Sequence, residues 1–293
     1  MKPLLLTNLT CLLLAVIMVL EINRREELQI VFCDVGQGDA ILLQLGRVQV
    51  LIDGGPDQEV LRCLGEYMPW LDREIELIVA THPDADHIGG LFDVISSYQV
   101  QYLVWTGESK ETDDFKRLYE LVQAKKEVGL VVMEAKNGQI FKLATAGFLK
   151  IICLFTENTL QDAGQKEQNN NFSINDGSIA LLLEYKQTKS LFMADIEAGG
   201  EQALISNGLL NNVDLLKVGH HGSKSATSLP LLLATQPEIS IISVGKNNQY
   251  GHPSPEVVSR LEAIGTILMR TDQLGDIELR TKGTTFVFQN ASK

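Results

Sequence analysis

From Gln29 onward the chain alternates short apolar runs with polar breaks at the spacing of strands and turns. The runs Gln29 to Val35, Ala40 to Leu45 and Val48 to Ile52 are rich in aliphatic and β-branched residues and predict three strands, with Gly46-Arg47 as a hairpin break between the last two. Gly54-Gly55-Pro56 ends the third strand, and Gln58 to Tyr67 predicts a helix. Glu76 to Ala80 predicts a short buried strand that leads straight into THPDADHIGG, and Gly89-Gly90 precedes a helix over Leu91 to Ser97. The alternation continues with a strand at Tyr102 to Trp105, a charged helix over Asp113 to Glu127 and a strand at Leu130 to Glu134. Thr156 to Asp176 is polar, contains Gln168-Asn169-Asn170-Asn171, and reads as a long mobile loop. Strands resume at Ser178 to Glu184, Ser190 to Ala194 and Val213 to Val218. A helix over Pro255 to Ala263 and three strand-like runs then carry the chain to Val287. No tandem repeat appears and no linker splits residues 28–293, so one domain of mixed α/β class is expected there.

The first 27 residues read differently. Pro3 to Leu20 is almost wholly apolar, broken only by Thr7, Asn8 and Thr10, and is about long enough to span a bilayer as a helix. No small-residue cleavage site follows it; the next residues are Glu21-Ile22-Asn23-Arg24-Arg25. We read an uncleaved N-terminal hydrophobic helix that anchors the chain to a membrane, with a charged linker to residue 27. A cleaved signal peptide, giving a secreted protein, is the alternative. Lys2 on one side faces Arg24 and Arg25 on the other, so basic residues do not set the orientation.

Charge narrows the function classes. The net charge of −12 argues against a broad basic surface that grips duplex nucleic acid, yet leaves open a substrate whose phosphates are neutralised locally by metals and a few lysines. Cys11, Cys33, Cys63 and Cys153 are widely spaced and form no CxxC pair, which predicts neither a zinc knuckle nor a disulfide framework. Nothing in the sequence points to a protein partner.

The chemistry lies with the histidines. All five fall in three short segments: His82 and His87 in THPDADHIGG, His220 and His221 in KVGHHGSKS, and His252 in YGHPSPE. In the first, His82, Asp84, Asp86 and His87 offer mixed nitrogen and oxygen donors suited to Zn²⁺, Mn²⁺ or Fe²⁺. Pro83 keeps the segment from being a regular helix interior. The bland alternative is a helix start capped by Asp84 or Asp86.

Asp195 follows the apolar strand in FMADIE; it could bridge two metals or cap the helix after it. His220 and His221 end another strand. Adjacent side chains point differently, so one is expected to face the metals and the other to hold a phosphate or protonate a leaving group, with Lys224 adding positive charge. His252 sits in a turn and could close a ligand set from a distant part of the chain. Asp34 and Asp39 flank the glycines of DVGQGD, which is not a phosphate-binding P-loop because no GK[ST] follows; a tight turn near the site is the better reading. Asp53 in LIDGG could orient a ligand histidine from behind, or merely cap the turn.

In this order, DVGQGDA, LIDGG, THPDADHIGG, MADIE, LKVGHHGSK, YGHPSPE and RTDQLGDI resemble the metallo-β-lactamase superfamily, and within it the ComEC-type domain attached to bacterial DNA-uptake channels. The resemblance covers about residues 28–285. It implies a four-layer αββα sandwich with the metal site on loops at one edge. The general motif HxHxDH stands here as HxDxDH, with Asp84 at its second ligand position, as in the ComEC-type branch.

By resemblance, His82 and Asp84 would serve one divalent ion and Asp86 and His87 another, with Asp195 bridging and His252 completing the set. One or two ions are expected, Zn²⁺ or Mn²⁺, the extra carboxylate favouring the harder ion. A further family histidine has no counterpart, since none lies between His87 and His220; Asn175 is a conceivable substitute. The full uptake protein has many membrane helices and this chain at most one, which reads as a stand-alone or truncated relative.

The expected activity is a metal-dependent hydrolase acting on a phosphodiester, single-stranded DNA foremost, with a metal-bound hydroxide as nucleophile and Asp86, His220, His221 and Lys224 in catalytic roles. The domain is expected outside the cytoplasm by analogy with the channel proteins. A hydrolase of another surface ester, such as a choline-phosphate ester or a lactone, and a non-catalytic binding domain on the same fold are the alternatives.

Overall fold

A computed structural model describes residues 26–143, 147–152 and 173–289. The apolar run of residues 3–20, and the polar stretch up to residue 172, lie outside the described residues. Among the described residues no helix is long and apolar enough to cross a membrane.

Two mixed sheets stack face to face. The first holds β1 (Leu28–Phe32), β2 (Ile41–Leu45), β3 (Val48–Ile52), β4 (Glu74–Ala80), β5 (Gln99–Trp105), β6 (Val131–Glu134), β14 (Ile277–Thr281) and β15 (Phe286–Gln289), in the order β15-β14-β1-β2-β3-β4-β5-β6. The second holds β7 (Ile140–Leu143), β8 (Gly147–Ile152), β9 (Ala180–Tyr185), β10 (Thr188–Phe192), β11 (Leu215–Lys217), β12 (Ile239–Ile242) and β13 (Ile267–Arg270), in the order β13-β12-β11-β10-β9-β8-β7. The helices are α1 (Glu59–Tyr67), α2 (Ala85–Ile88), α3 (Leu91–Ser97), α4 (Asp113–Lys126), α5 (Ala198–Ser206), α6 (Leu229–Thr235), α7 (Pro255–Ala263) and α8 (Thr271–Leu274).

Three apolar clusters make the layers. Phe32, Leu43, Ile52 and Val79 of the first sheet meet Leu181, Phe192, Leu215 and Ile241 of the second in the central core. Val31, Leu42, Leu51 and Ile78 turn the other way, onto Val60 and Leu64 of α1, Val94 of α3 and Val122 of α4. On the far side, Leu191, Leu216 and Ile242 pack under Leu204 of α5, Leu231 of α6 and Val257 of α7. Each sheet is covered on both faces, so its strands read as continuous apolar runs rather than strict alternation. Removing one fully buried side chain of the central core, such as Phe32, would cost about 3–5 kcal/mol.

Helix ends follow local chemistry. Thr112 caps α4 by accepting from Phe115 N, with Asp113 and Asp114 in the first turn and Lys125 and Lys126 in the last, each suited to the helix dipole. Ser228 and Ser254 cap α6 and α7, with a proline in the first turn of each.

Several elements depart from the sequence reading. β7, β8, α6 and α8 were not foreseen, and four strands rather than three follow His221. β7 is the edge strand of its sheet, where residues such as Ile140 are exposed and the apolar signal is weak; β8 is its inner neighbour, paired with β9. The expectation of no disulfide is corrected: Cys33 and Cys63 are joined. Thirty residues apart in sequence, they meet because β1 ends beneath α1.

Candidate metal centre

The site forms at one edge of the sandwich, where several strands release their chains. β4 ends at Ala80 and delivers Thr81-His82-Pro83-Asp84 into α2. Asp84 stands at the N-cap position of α2 but makes no capping hydrogen bond, so capping does not account for this segment. β3, parallel to β4, ends beside it at Asp53. From the second sheet, β10 leads to Asp195 and β11 to the 3₁₀ turn Gly219–Gly222. Asp195 does not cap α5 either; Glu197 takes the N-cap position, and buried Asp176 accepts from Glu197 N and Gly200 N at 2.9 and 3.0 Å.

The backbone is bent to aim these groups. Asp53, Ala194, His220 and His221 have φ of 58°, 46°, 46° and 51°, left-handed values that side chains adopt rarely and that concentrate at functional sites. The paired left-handed turn directs both adjacent histidines toward Asp195. His220 Nε2 lies 3.6 Å from Asp195 Oδ2 and His221 Nε2 lies 3.7 Å from Asp195 Oδ1.

Asp195 is the hub. His87 Nε2 is 3.3 Å from its Oδ1 and His82 Nε2 is 3.8 Å from its Oδ2, so four imidazoles present the same ring nitrogen to one carboxylate. His221 Nε2 is also 3.3 Å from Asp86 Oδ2. The donor atoms of His82, His87 and Asp195 fall within 4.8 Å of one another, as do those of Asp86, His87 and His221, and those of Asp39, Asp195 and His221.

Hydrogen bonds behind the rings set their tautomers. Asp53 accepts from Thr81 N at 2.8 Å and from Thr81 Oγ1 at 2.7 Å, and its Oδ2 lies 2.8 Å from His87 Nδ1, which must carry a proton to bond a carboxylate. The Thr81 hydroxyl proton is committed to Asp53. At 3.1 Å it is therefore His82 Nδ1–H that donates to Thr81 Oγ1. His221 Nδ1–H donates to the Ser243 carbonyl at 3.0 Å, and His220 Nδ1–H to Glu197 Oε1 at 3.1 Å. In the neutral form of each ring, Nε2 would direct a lone pair inward, as expected for histidine ligands held by groups behind them.

The residues at this point suit a divalent ion. His82 Nε2, His87 Nε2, His221 Nε2 and Asp195 Oδ1 are buried and have no hydrogen-bond partner. Buried polar atoms seldom go unpaired, and four at one point call for a cation. The electrostatics agree. Burial opposes ionisation of Asp195 most strongly, but His221 and His87 outweigh it and hold its carboxyl well below the usual range. Burial alone would lower His221, yet Asp195 and Asp39 raise it to about 9. His82, buried and beside His87, is pushed down to about 4.

The other foreseen residues fall in several places. Buried Asp39 accepts from Lys217 Nζ at 2.6 Å, with its Oδ1 3.4 Å from His221 Nδ1. Asn175 Nδ2 donates to Glu197 Oε1 at 3.3 Å, which puts it behind His220 rather than among the inward-facing donors. His252 stacks on His220 with ring centroids 5.7 Å apart, and its buried Nδ1 is unpartnered. Asp84 pairs with Lys110 at 2.7 Å, on the rim. Lys224 is exposed. Asp34 is not brought to the cluster: its carboxylate accepts from Gly36 N, and its backbone bonds Asp276 and Arg62.

Thr81, Glu197 and Lys217 were missed. Each adjoins or lies within a quoted motif, and Lys217 carried a signal in hindsight, a lone charge inside the apolar run LLKV.

Comparison with known proteins agrees with this geometry. Residues 33–246 match the sequence profile of the Metallo-beta-lactamase superfamily. ComE operon protein 3 of Bacillus subtilis is 32% identical over 276 residues, which cover 87% of this chain and 33% of that protein. Recombination protein 2 of Haemophilus influenzae is 27% identical over 263 residues, covering 84% of this chain and 28% of that protein. The chain thus spans about a third of the length of these curated relatives. The crystal structure of the metallo-beta-lactamase fold protein YhfI from Bacillus subtilis superposes with a TM-score of 0.55 at 12% identity, covering 87% of this chain and 100% of that one, a likeness of fold.

Proposed function

The chain belongs to the metallo-β-lactamase superfamily, a fold of metal-dependent hydrolases, and from that premise we propose a phosphodiesterase that cleaves single-stranded nucleic acid, DNA foremost. The observation that carries the reading is the convergence of four imidazole Nε2 atoms on Asp195, three of them buried without a partner.

In this reading His82, His87, His221, Asp86 and Asp195 hold one or two divalent ions, with Asp84 as a further carboxylate at the rim. A bound ion of this class acidifies water and stabilises negative charge developing on phosphate oxygens. The carboxylates suit Mn²⁺ as well as Zn²⁺. Asp53, Thr81 and Ser243 keep the ring nitrogens aimed. His220 takes a different part. Its side chain is 25% exposed where His221 is 2% exposed, so it is the imidazole that can meet substrate. Glu197 holds its Nδ1–H and the His252 ring covers one face. In its protonated form, His220 Nε2–H would donate to the departing oxygen.

The substrate class has its own support. Trp105, Phe115 and Tyr119 are nearly parallel, with all three centroids 6.1–6.2 Å apart. In a column the outer rings would be twice as far apart as neighbours, so these rings form a broader aromatic patch. Trp105 pairs in register with Ala80, two residues before His82, and Lys110 joins the same loop to Asp84. An aromatic patch beside a hydrolytic centre suits unpaired bases, which stack without needing a basic groove. The net charge of −12 favours a small ester instead, and the test separates the two.

For location, the apolar run from Pro3 to Leu20 supports a membrane tether, and the Cys33–Cys63 disulfide supports an oxidising, extracytoplasmic compartment.

The test is hydrolysis of single-stranded DNA, duplex DNA, a choline-phosphate ester and a lactone with Mn²⁺, with Zn²⁺ and with chelator. We expect metal-dependent cleavage of the single strand, lost in Asp86→Ala. No cleavage with either metal, or an active Asp86→Ala enzyme, would overturn the reading; hydrolysis of a small ester alone would replace it.

A further inference from the structure

The most exposed large apolar residues of the described chain stand side by side, far from the metal centre. Trp70 and Leu71 are 87% and 83% exposed at the tip of the turn joining α1 to β4. The turn is fixed rather than loose. Met68 N donates to Leu64 O, Asp72 N to Pro69 O, and Gln49 Nε2 to Asp72 Oδ2. Two bulky apolar side chains are thus held out on a closed turn, where water contact is unfavourable and a partly apolar boundary would relieve it.

The register says which end of the molecule this is. Leu28 opens β1 opposite Leu45, Leu45 pairs with Val48, and Val48 opens β3, which runs parallel to β4. The chain therefore enters β1 at the same sheet end that carries the Trp70-Leu71 turn. Other tips gather there. The hairpin residues Lys186 and Gln187 meet Lys282 and Gly283, and Tyr185 Oη donates to Glu26 O at 2.6 Å. Val128, 79% exposed, precedes β6 at that end too. Arg47, Arg73, Lys186 and Lys282 are exposed around the tips, but Glu26, Glu27 and Asp72 lie among them, so apolar contact rather than charge would dominate.

We infer that this end of the sandwich rests on the lipid bilayer, with Trp70 and Leu71 in its interfacial zone, an inference that rests on reading residues 3–20 as a membrane tether. The seven residues from Glu21 to Glu27 reach at most about 24 Å fully extended, so a tethered domain stays near the surface and meets it first through the end where the tether enters. Tryptophan is the side chain most at home at that depth. The consequence concerns substrate. β4 spans seven residues, about 20 Å, between the lipid-facing end and the His82 loop. The metal centre faces away from the membrane, open to a polymer in solution and out of reach of phosphodiesters in lipid headgroups.

The test uses the full chain reconstituted into phosphatidylcholine–phosphatidylglycerol vesicles. The chain has two tryptophans, so Trp105→Phe leaves Trp70 as the sole emitter and Trp70→Phe reports Trp105 as the comparison. Expected is co-sedimentation, with Trp70 emission shifted to the blue, quenched by brominated lipid and shielded from aqueous iodide, while Trp105 is insensitive to brominated lipid. Should Trp70→Phe behave as described but Trp105→Phe fail to fold, the difference between wild-type and Trp70→Phe spectra supplies the same readout. If the protein co-sediments but Trp70 is quenched by iodide and not by brominated lipid, the lipid-facing end is refuted and the tether stands. If it does not co-sediment, the tether fails and the inference falls with it.

Discussion

Lys217 Nζ donates to Asp39 Oδ2 at 2.6 Å across the two sheets, and both side chains are buried. Lys217 ends β11 of the second sheet, and Asp39 follows the loop after β1 of the first. The pair fastens the sheets directly behind His221. Removing one partner strands a buried charge, which costs about 3–5 kcal/mol. Lys217→Met should therefore destabilise the metal-free protein by that amount in chemical denaturation. The double variant Asp39→Asn/Lys217→Met should recover a large part of it, since no charge is then left unpaired. Additive losses would show that the two do not act as a pair.

The same pair fixes a pH dependence. Burial works against Asp39 ionisation, but Lys217 and His221 prevail and hold the carboxyl far below its ordinary 3.8. A depressed folded pKa contributes stability that is present above the unfolded value and lost as pH falls through the folded one. In metal-free protein, the loss of stability below about pH 4 should be steeper for wild type than for Asp39→Asn, which is less stable at neutral pH but lacks this contribution. Denaturation midpoints across pH 2–7 check it, and parallel acid limbs would refute it.

Much of this was legible in the sequence because strands and ligands announce themselves locally. THPDADH carries its donors within six positions, and the apolar runs on either side report burial directly. What was not legible is pairing at a distance. Glu197 matters only because the left-handed turn at His220 swings Nδ1 onto it, and Lys217 only because Asp39 arrives from the other sheet. Likewise Cys33 and Cys63 carry no spacing signature; they bond because a helix is laid over a strand end. Tertiary contacts of this kind leave no periodicity to read.

Metal loading should expel protons. His82 is already neutral at pH 7, its pKa lowered to about 4 by burial and by His87. His221 is different: Asp195 and Asp39 overcome burial and raise it to about 9, so without metal it carries a proton where a cation would sit. Zn²⁺ binding at pH 7 should release at least one proton, read as a calorimetric enthalpy that varies with buffer ionisation heat, and the share released by His221 should fall away above about pH 9. Apparent affinity should rise over the same interval. Chelation should lower the melting temperature, since bound metal favours the folded state.

Gly38 tests the contact between the first and third motifs. A Cβ there would lie 2.1 Å from the Asp86 carbonyl oxygen, which also accepts from Asp39 N at 3.1 Å. With φ at +135°, Gly38→Ala is both strained and sterically blocked by backbone, so the loop bearing Asp86 must shift. A loss of about 1–3 kcal/mol is expected, together with weakened metal binding. Gly36, at φ +74° with open space around it, is the control. Gly36→Ala should carry only the left-handed strain of about 1–2 kcal/mol and leave metal affinity unchanged.

The disulfide gives a prediction about both stability and compartment. Cys33 and Cys63 are buried, 30 residues apart, and join the end of β1 to α1 just before the loop that carries Asp39. Closing a loop of that length restricts the unfolded chain by roughly 3–4 kcal/mol in the chain-entropy account. For a domain of this size each kcal/mol moves the melting temperature by roughly 2–4 °C. Reduction, or Cys63→Ala, should therefore lower the midpoint by on the order of 10 °C in the metal-loaded protein. Thiol labelling in denaturant with peptide mapping then reports where the domain matures. Protein recovered from an oxidising compartment should show Cys33 and Cys63 protected until reductant is added, whereas protein made in a reducing cytosol should show both reactive. Two free thiols in material from the oxidising side would mean that the buried sulfurs pack as small hydrophobes instead, and support for an extracytoplasmic domain would be withdrawn.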